Sequence, residues 1–182
     1  MIRKTVAVLA AALLCAALSS PAQAAGKIGV LNPVRVSTQS DPGKEADRQI
    51  EASLGRERKQ LEQQQADFDK QVKDFENQAP ALSDKARAER QGKLQKTFQD
   101  IQTRGTAFAQ RAQRLQRDID AQMNEVVSAA CKAFAEKNGY DLIITTQAIP
   151  YATASYDVTE GVIQEVNRAW KSRGGKYKIS SK

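Results

Sequence analysis

Nine basic side chains crowd the segment from Pro80 to Arg117: Lys85, Arg87, Arg90, Lys93, Lys96, Arg104, Arg111, Arg114 and Arg117. Three acidic residues accompany them, so this segment carries a net +6. The preceding segment, Lys44 to Ala79, holds seven basic and nine acidic residues, net −2. The chemistry this division supports is attraction of anionic groups, which speeds capture and is screened by salt. It equally suits two arms that merely attract each other and are otherwise solvated, each exposed pair contributing about 0–1 kcal/mol. Lys85, Arg87, Arg90, Lys93 and Lys96 form the densest group and are the candidate anion-facing surface.

Catalysis is poorly served. The chain has no histidine, which removes the commonest general base and the commonest metal ligand together. No spacing of ligand-type residues suits a metal. Gly174-Gly175 leads into no phosphate-cradling motif or helix. We therefore expect no enzyme, no cofactor and no metal. Cys131 reads either as a small buried apolar residue on a helix face or as a crosslink to a second chain.

The amino terminus reads as an export signal. Arg3 and Lys4 precede the apolar run Val6 to Leu18, followed by Pro21 and the small-residue stretch Ala22-Gln23-Ala24. Cleavage is expected between Ala24 and Ala25. The run is too short to span a bilayer permanently. Leu13 and Leu14 before Cys15 are too large for a lipidation site. Removing Arg3 and Lys4 leaves 26 basic against 21 acidic residues, +5, so anionic partners such as acidic polypeptide, phosphorylated glycolipid or membrane surface are favoured.

Long helices must carry the charged segments. Leu94, Phe98, Ile101, Gly105, Phe108, Ala112, Leu115, Ile119 and Val126 follow steps of four and three, with Gln122 the polar break in the stripe. Such a heptad stripe belongs to a helix lying along another helix. Leu54, Leu61, Phe68, Phe75 and Leu82 form the partner stripe. Val72 and Ala79 supply its second seam position, whose earlier slots by sevens are Glu51, Arg58 and Gln65. Pro80 separates the stripes, and Ser83-Asp84 can cap the second helix. Asn138-Gly139 closes it. Gly55 and Gly105, counted about Pro80, fall at nearly the same height and are a possible arm hinge, or else tolerated defects.

Short apolar segments flank this hairpin. Lys27 to Asn32 and Tyr140 to Thr146 read as strands, with a further short strand around Ile149 to Ala152. Asp157, with Glu160 three residues on, is expected to cap a final helix bearing Val158, Val162, Ile163, Val166 and Trp170. The tail beyond should be frayed. Two or three short strands do not make a stable sheet alone. Nor does the hairpin cover Val126, Val127, Ala130 and Phe134, which must bury themselves against the C-terminal segment or a further copy. Several copies pooling their strands would remedy this.

The fold class expected is α+β: a long antiparallel coiled-coil hairpin (44–117) projecting from a small β head (25–43 and 118–170), with a flexible basic tail (171–182) and a signal at 1–24.

The order of these elements resembles the Skp family of periplasmic chaperones, also called OmpH-like proteins. The likeness rests on Lys27-Ile28-Gly29-Val30-Leu31-Asn32, on Tyr140-Asp141-Leu142-Ile143-Ile144, on Ala148 to Tyr151, and on Asp157-Val158-Thr159-Glu160. It covers roughly Lys27 to Val166. The resemblance implies a homotrimer whose head core would include Ile28, Val30, Leu31, Leu142, Ile143 and Ile144. It implies a periplasmic, ATP-independent holdase that keeps unfolded outer-membrane proteins between helical tentacles. A link to lipopolysaccharide is also implied, through basic residues not aligned here. The basic group of the descending arm then becomes a client-facing surface. Val72, Phe75, Leu82, Leu94 and Phe98 are the candidate apolar contacts, mostly seam residues whose edges a client could touch. The alternative is a structural or adaptor coiled coil of the cell envelope. Nucleic acid is disfavoured by the signal and by the lack of exposed aromatics along the arm.

Overall fold

The structure, a computed structural model, describes residues 26–179. The expected signal and its cleavage point at Ala24 and Ala25 lie outside the described residues. The element order is β1 (Ile28–Leu31), α1 (Pro33–Gln39), α2 (Asp41–Gln78), a 3-10 turn (Ala79–Ala81), α3 (Asp84–Asn138), β2 (Leu142–Thr145), 3-10 turns at Thr146–Ala148 and Ala154–Tyr156, and α4 (Thr159–Ser172).

Local chemistry sets the boundaries of the two long helices. The Ser40 hydroxyl accepts from the Gly43 N–H at 3.2 Å, with Pro42 in the first turn where no donor is needed. The Ser83 hydroxyl accepts from the Ala86 N–H at 3.3 Å to start α3. Gly139 ends α3 in the left-handed region, φ 68°, where a side chain would be strained. At 1.5 Å per residue, the 38 residues of α2 span roughly 57 Å and the 55 of α3 roughly 83 Å.

The two helices form the expected antiparallel hairpin, with one phase error. Ile50, Leu54, Glu57, Leu61, Gln64, Phe68, Val72 and Phe75 face inward on α2, continued by Ala79 in the turn, while Glu51, Arg58 and Gln65 are exposed. The seam takes two successive steps of four between Gln64 and Val72, a local stutter in the heptad. Counting back by sevens from Val72 therefore named the wrong polar slots. Glu57 and Gln64 occupy them.

The fold-back is also displaced. Gln78 meets Arg90, Phe68 meets Phe98 and Glu57 meets Arg111, which centres the turn near Asp84 rather than Pro80. Gly55 and Gly105 then sit about eight residues apart in height, roughly 12 Å by the helical rise. A shared joint at one level is thus not what the geometry offers. A methyl at Gly105 would meet open space, whereas one at Gly55 would lie 2.3 Å from the Glu51 carboxylate.

The head is a two-stranded parallel sheet, β1 against β2, pairing Ile28 with Leu142 and Val30 with Ile144. The third strand expected at Ile149–Ala152 does not form. Pro150 lacks a donor, and the backbone edge of Val30 is taken by Asp157 and Val158, whose N–H donates to the Val30 carbonyl at 3.0 Å. The short helix α1 was not foreseen. Its sequence, PVRVSTQ, is rich in β-branched residues, yet the Asn32 side chain accepts from the Arg35 N–H at 3.1 Å and Pro33 occupies the first turn.

The core gathers where α4 lies on the upper part of α3. Val162, Ile163, Val166 and Trp170 of α4 join Val126, Ala130, Ile119 and Leu115 of α3, with Leu31, Val36 and Leu54, in one buried cluster. Val126 and Ala130 are each 1% exposed within a single chain. The C-terminal helix α4 folds back over this part of α3, as its uncovered apolar residues require, and no second copy is needed to cover it. Of the proposed head-core residues, Val30 and Leu31 are buried, Ile143 and Ile144 are half-buried, and Ile28 and Leu142 remain 40% and 49% exposed.

Two further expectations change. Helix α4 begins at Thr159, and Asp157 serves it from one position earlier than a cap, its carboxylate accepting from the Thr159 N–H at 2.8 Å. Glu160 does not close a capping box; it lies 3.7 Å from Arg35, which also meets Asp157 at 3.0 Å. The tail is not frayed over its described part, because Tyr177 is buried and Ile179 packs on the core.

Candidate functional site

The hairpin tip brings the candidate basic and apolar residues together. Val72, Phe75, Leu82 and Leu94 are half-buried in the seam, so a partner would meet their edges. Phe98 is 45% exposed, its ring 6.0 Å from that of Phe68. Close by, a cleft of about 300 Å³ opens between Gln71, Asp74 and Phe75 of α2 and Arg90, Lys93 and Leu94 of α3. It mixes an acid, two bases and two apolar edges, and suits loose contact with an extended polypeptide better than a tight small-molecule fit.

The five candidate bases are all exposed but not all uncommitted. Arg87 lies 3.8 Å from Asp84 and donates to the Leu82 carbonyl, and Arg90 donates to Gln78, so these two brace the turn. Lys85, Lys93 and Lys96 make no ion pair among the described residues. Arg111 is committed across the arms to Glu57, with contacts of 2.6 and 3.2 Å. Below it, Gln64 buries its side-chain oxygen without a partner. Gln64 is also among the residues that line a second cleft, of about 450 Å³, with Asp67, Gln71, Asp100 and Arg104.

Chemistry elsewhere is structural. The Thr159 hydroxyl accepts from the Asn32 N–H at 2.9 Å, fixing the end of β1 to the start of α4. Hydrogen bonding from Thr159, with a smaller contribution from Arg35, holds the Asp157 carboxyl below its ordinary value. Cys131 packs partly against the core, and burial pushes its thiol pKa up, which disfavours the reactive thiolate. Among the described residues no cluster of three metal-ligating side chains exists, and no helix is long and apolar enough to cross a membrane.

The family model for OmpH-like outer membrane proteins matches residues 27–166. The chain belongs to the OmpH-like family. It is 25% identical over 157 residues to the chaperone protein Skp of Yersinia enterocolitica, covering 86% of this chain and 96% of that one. The Skp of Pectobacterium atrosepticum is 25% identical over 150 residues, 82% of this chain and 91% of its own. A crystal structure of an OmpH-like chain from Caulobacter crescentus superposes with a TM-score of 0.62 at 13% identity, covering 86% and 90% of the two chains. That OmpH-like chain shares the fold: a long helical hairpin on a small strand-bearing head.

Three functional-looking features escaped the sequence. Glu57 was hidden by the stutter, and the unpartnered Gln64 with it. The docking of Tyr177 had one available signal, Gln122, a polar residue in an otherwise apolar stripe whose amide clasps the tail.

Proposed function

We propose that this OmpH-like protein is an ATP-independent holdase of the periplasm, capturing unfolded outer-membrane proteins between helical arms until they reach the outer membrane. The observation that carries this is the tip-proximal part of the arms: Lys93 lines a cleft with the half-buried edges of Phe75 and Leu94, and Lys85 and Lys96, exposed and without an ion pair among the described residues, share α3 with the exposed Phe98. Attraction by the bases would gather a chain, and many weak apolar contacts would retain it without imposing a fold. The similarity to chaperones named Skp supports the same reading.

The holdase acts as a homotrimer in this proposal. Ile28 and Leu142, neighbours in the sheet register, expose apolar surface on the head, with Tyr151 and Tyr156 exposed nearby in the chain. A second and third copy would cover them. Anionic headgroups, lipopolysaccharide included, would compete at the basic tip.

The test is dilution of a urea-unfolded β-barrel protein into buffer holding stoichiometric chaperone and no ATP. Light scattering should stay low. Scattering as strong as without the protein would reject the holdase in favour of an envelope adaptor.

A further inference from the structure

Residues 173–179 lie beyond the family match, which ends at residue 166, yet they are docked with care. Gly174 and Gly175, at φ 94° and 65°, turn the chain back after α4. Tyr177 then lies 7% exposed with its ring 4.6 Å from that of Trp170. Its hydroxyl donates to the Pro42 carbonyl at 3.0 Å and touches the Met123 sulfur at 3.9 Å. One residue on, the Gln122 side chain holds the Lys178 backbone from both sides. Its Nε2 donates to the Lys178 carbonyl at 2.9 Å, and its Oε1 accepts from the Lys178 N–H at 2.9 Å. Arg173 reaches Glu125 at 3.4 Å.

These contacts have one geometric consequence. Pro42 is where α2 leaves the head, and Met123 is where α3 returns to it. Tyr177 touches both, and Trp170 anchors it to α4. A segment of seven residues therefore ties the roots of both arms to the last helix. The attachment is local rather than continuous. A cleft of about 450 Å³, bounded by Gln122, Trp170, Arg173, Lys176 and Lys178, remains beneath the segment. Apart from Tyr177 and Ile179, the segment is held by solvent-exposed hydrogen bonds to Gln122 and an exposed ion pair, which mark an element that undocks at lower cost than the core around it.

We propose that residues 173–179 are a releasable strap that holds the two arm roots together, and that its release frees the base of the hairpin to open. This does not depend on what the arms carry.

Hydrogen exchange followed by mass spectrometry on the full chain tests it. In Tyr177→Ala, amides from Glu45 to Leu54 should exchange about tenfold faster, with the tip from Phe68 to Phe98 unchanged. Tyr177→Phe keeps the ring and should give a smaller rise. Gln122→Ala removes the clasp on Lys178 and should raise exchange at the same roots; it decides the matter if Tyr177→Ala fails to fold. Roots as protected as in the parent protein would overturn the strap. So would exchange rising equally in the head strands and the tip, which would make Tyr177 ordinary core.

Discussion

Glu57 on α2 and Arg111 on α3 meet in a two-pronged ion pair, with nitrogen–oxygen distances of 2.6 and 3.2 Å. The Glu57 side chain is 22% exposed and that of Arg111 51%, so the pair is neither dry nor fully solvated. Glu57 occupies a seam position where an apolar residue would be expected, and the pair bridges the two arms at that height. A double-mutant cycle with Glu57→Gln and Arg111→Gln should return a coupling of about 1 kcal/mol, at the upper end for a partly exposed pair. Thermal unfolding of the four proteins gives the number. A coupling of zero would mean the apolar seam alone sets the register.

Lys85, Lys93 and Lys96 should matter for capture and not for stability. Changing all three to Gln should leave the melting profile nearly unmoved, because exposed, unpaired positions usually shift stability by less than about 0.5 kcal/mol each. Association with an acidic unfolded client should slow, and most of its salt dependence should vanish. Stopped-flow mixing at low and high salt separates these effects.

The glycines should divide by what surrounds them. A methyl at Gly43 would lie 1.6 Å from the Ser37 carbonyl oxygen, and one at Gly161 would lie 2.4 Å from the Phe134 ring. Alanine at either should destabilise by about 2–3 kcal/mol, as overpacking does. At Gly92 and Gly105 the space is open. Alanine there should stabilise by up to about 1 kcal/mol through helix propensity alone. Urea midpoints of the four variants check both signs.

Alkali should loosen the strap. Burial first, and then the charges of Asp120 and Glu45, push the Tyr177 hydroxyl from its ordinary 10 up to about 12. The neutral phenol is favoured in the folded state. Its contribution to stability is therefore complete below pH 10 and is lost as pH rises through about 12. An ultraviolet titration should show one late-ionising tyrosine that Tyr177→Phe removes.

Much of the fold was legible because periodicity is a repeated signal. The stripes ending at Leu82 and beginning at Leu94 gave the hairpin, and Ser83 and Gly139 gave helix ends through their own chemistry. What failed were single-step events. The stutter between Gln64 and Val72 shifted half a seam, and a turn centre moved by four residues separated Gly55 from Gly105. Helix α1 was masked because its β-branched residues argue for strand, while one asparagine cap and a proline decide for helix. At the tip, residue types could suggest a basic surface. They could not show that Arg87 and Arg90 brace the turn while Lys85, Lys93 and Lys96 stay free. That division depends on which backbone carbonyls and amides the fold brings within reach.

In the proposed reading, several copies join through the head and enclose one unfolded chain. Solution mass of the protein, measured alone and then with a denatured β-barrel protein, is the decisive test. A particle of three chains that gains the mass of one client is expected, as is a Leu142→Glu variant that falls to single chains while keeping its helicity. A single chain at working concentration, with no mass gained on adding the client, would contradict it.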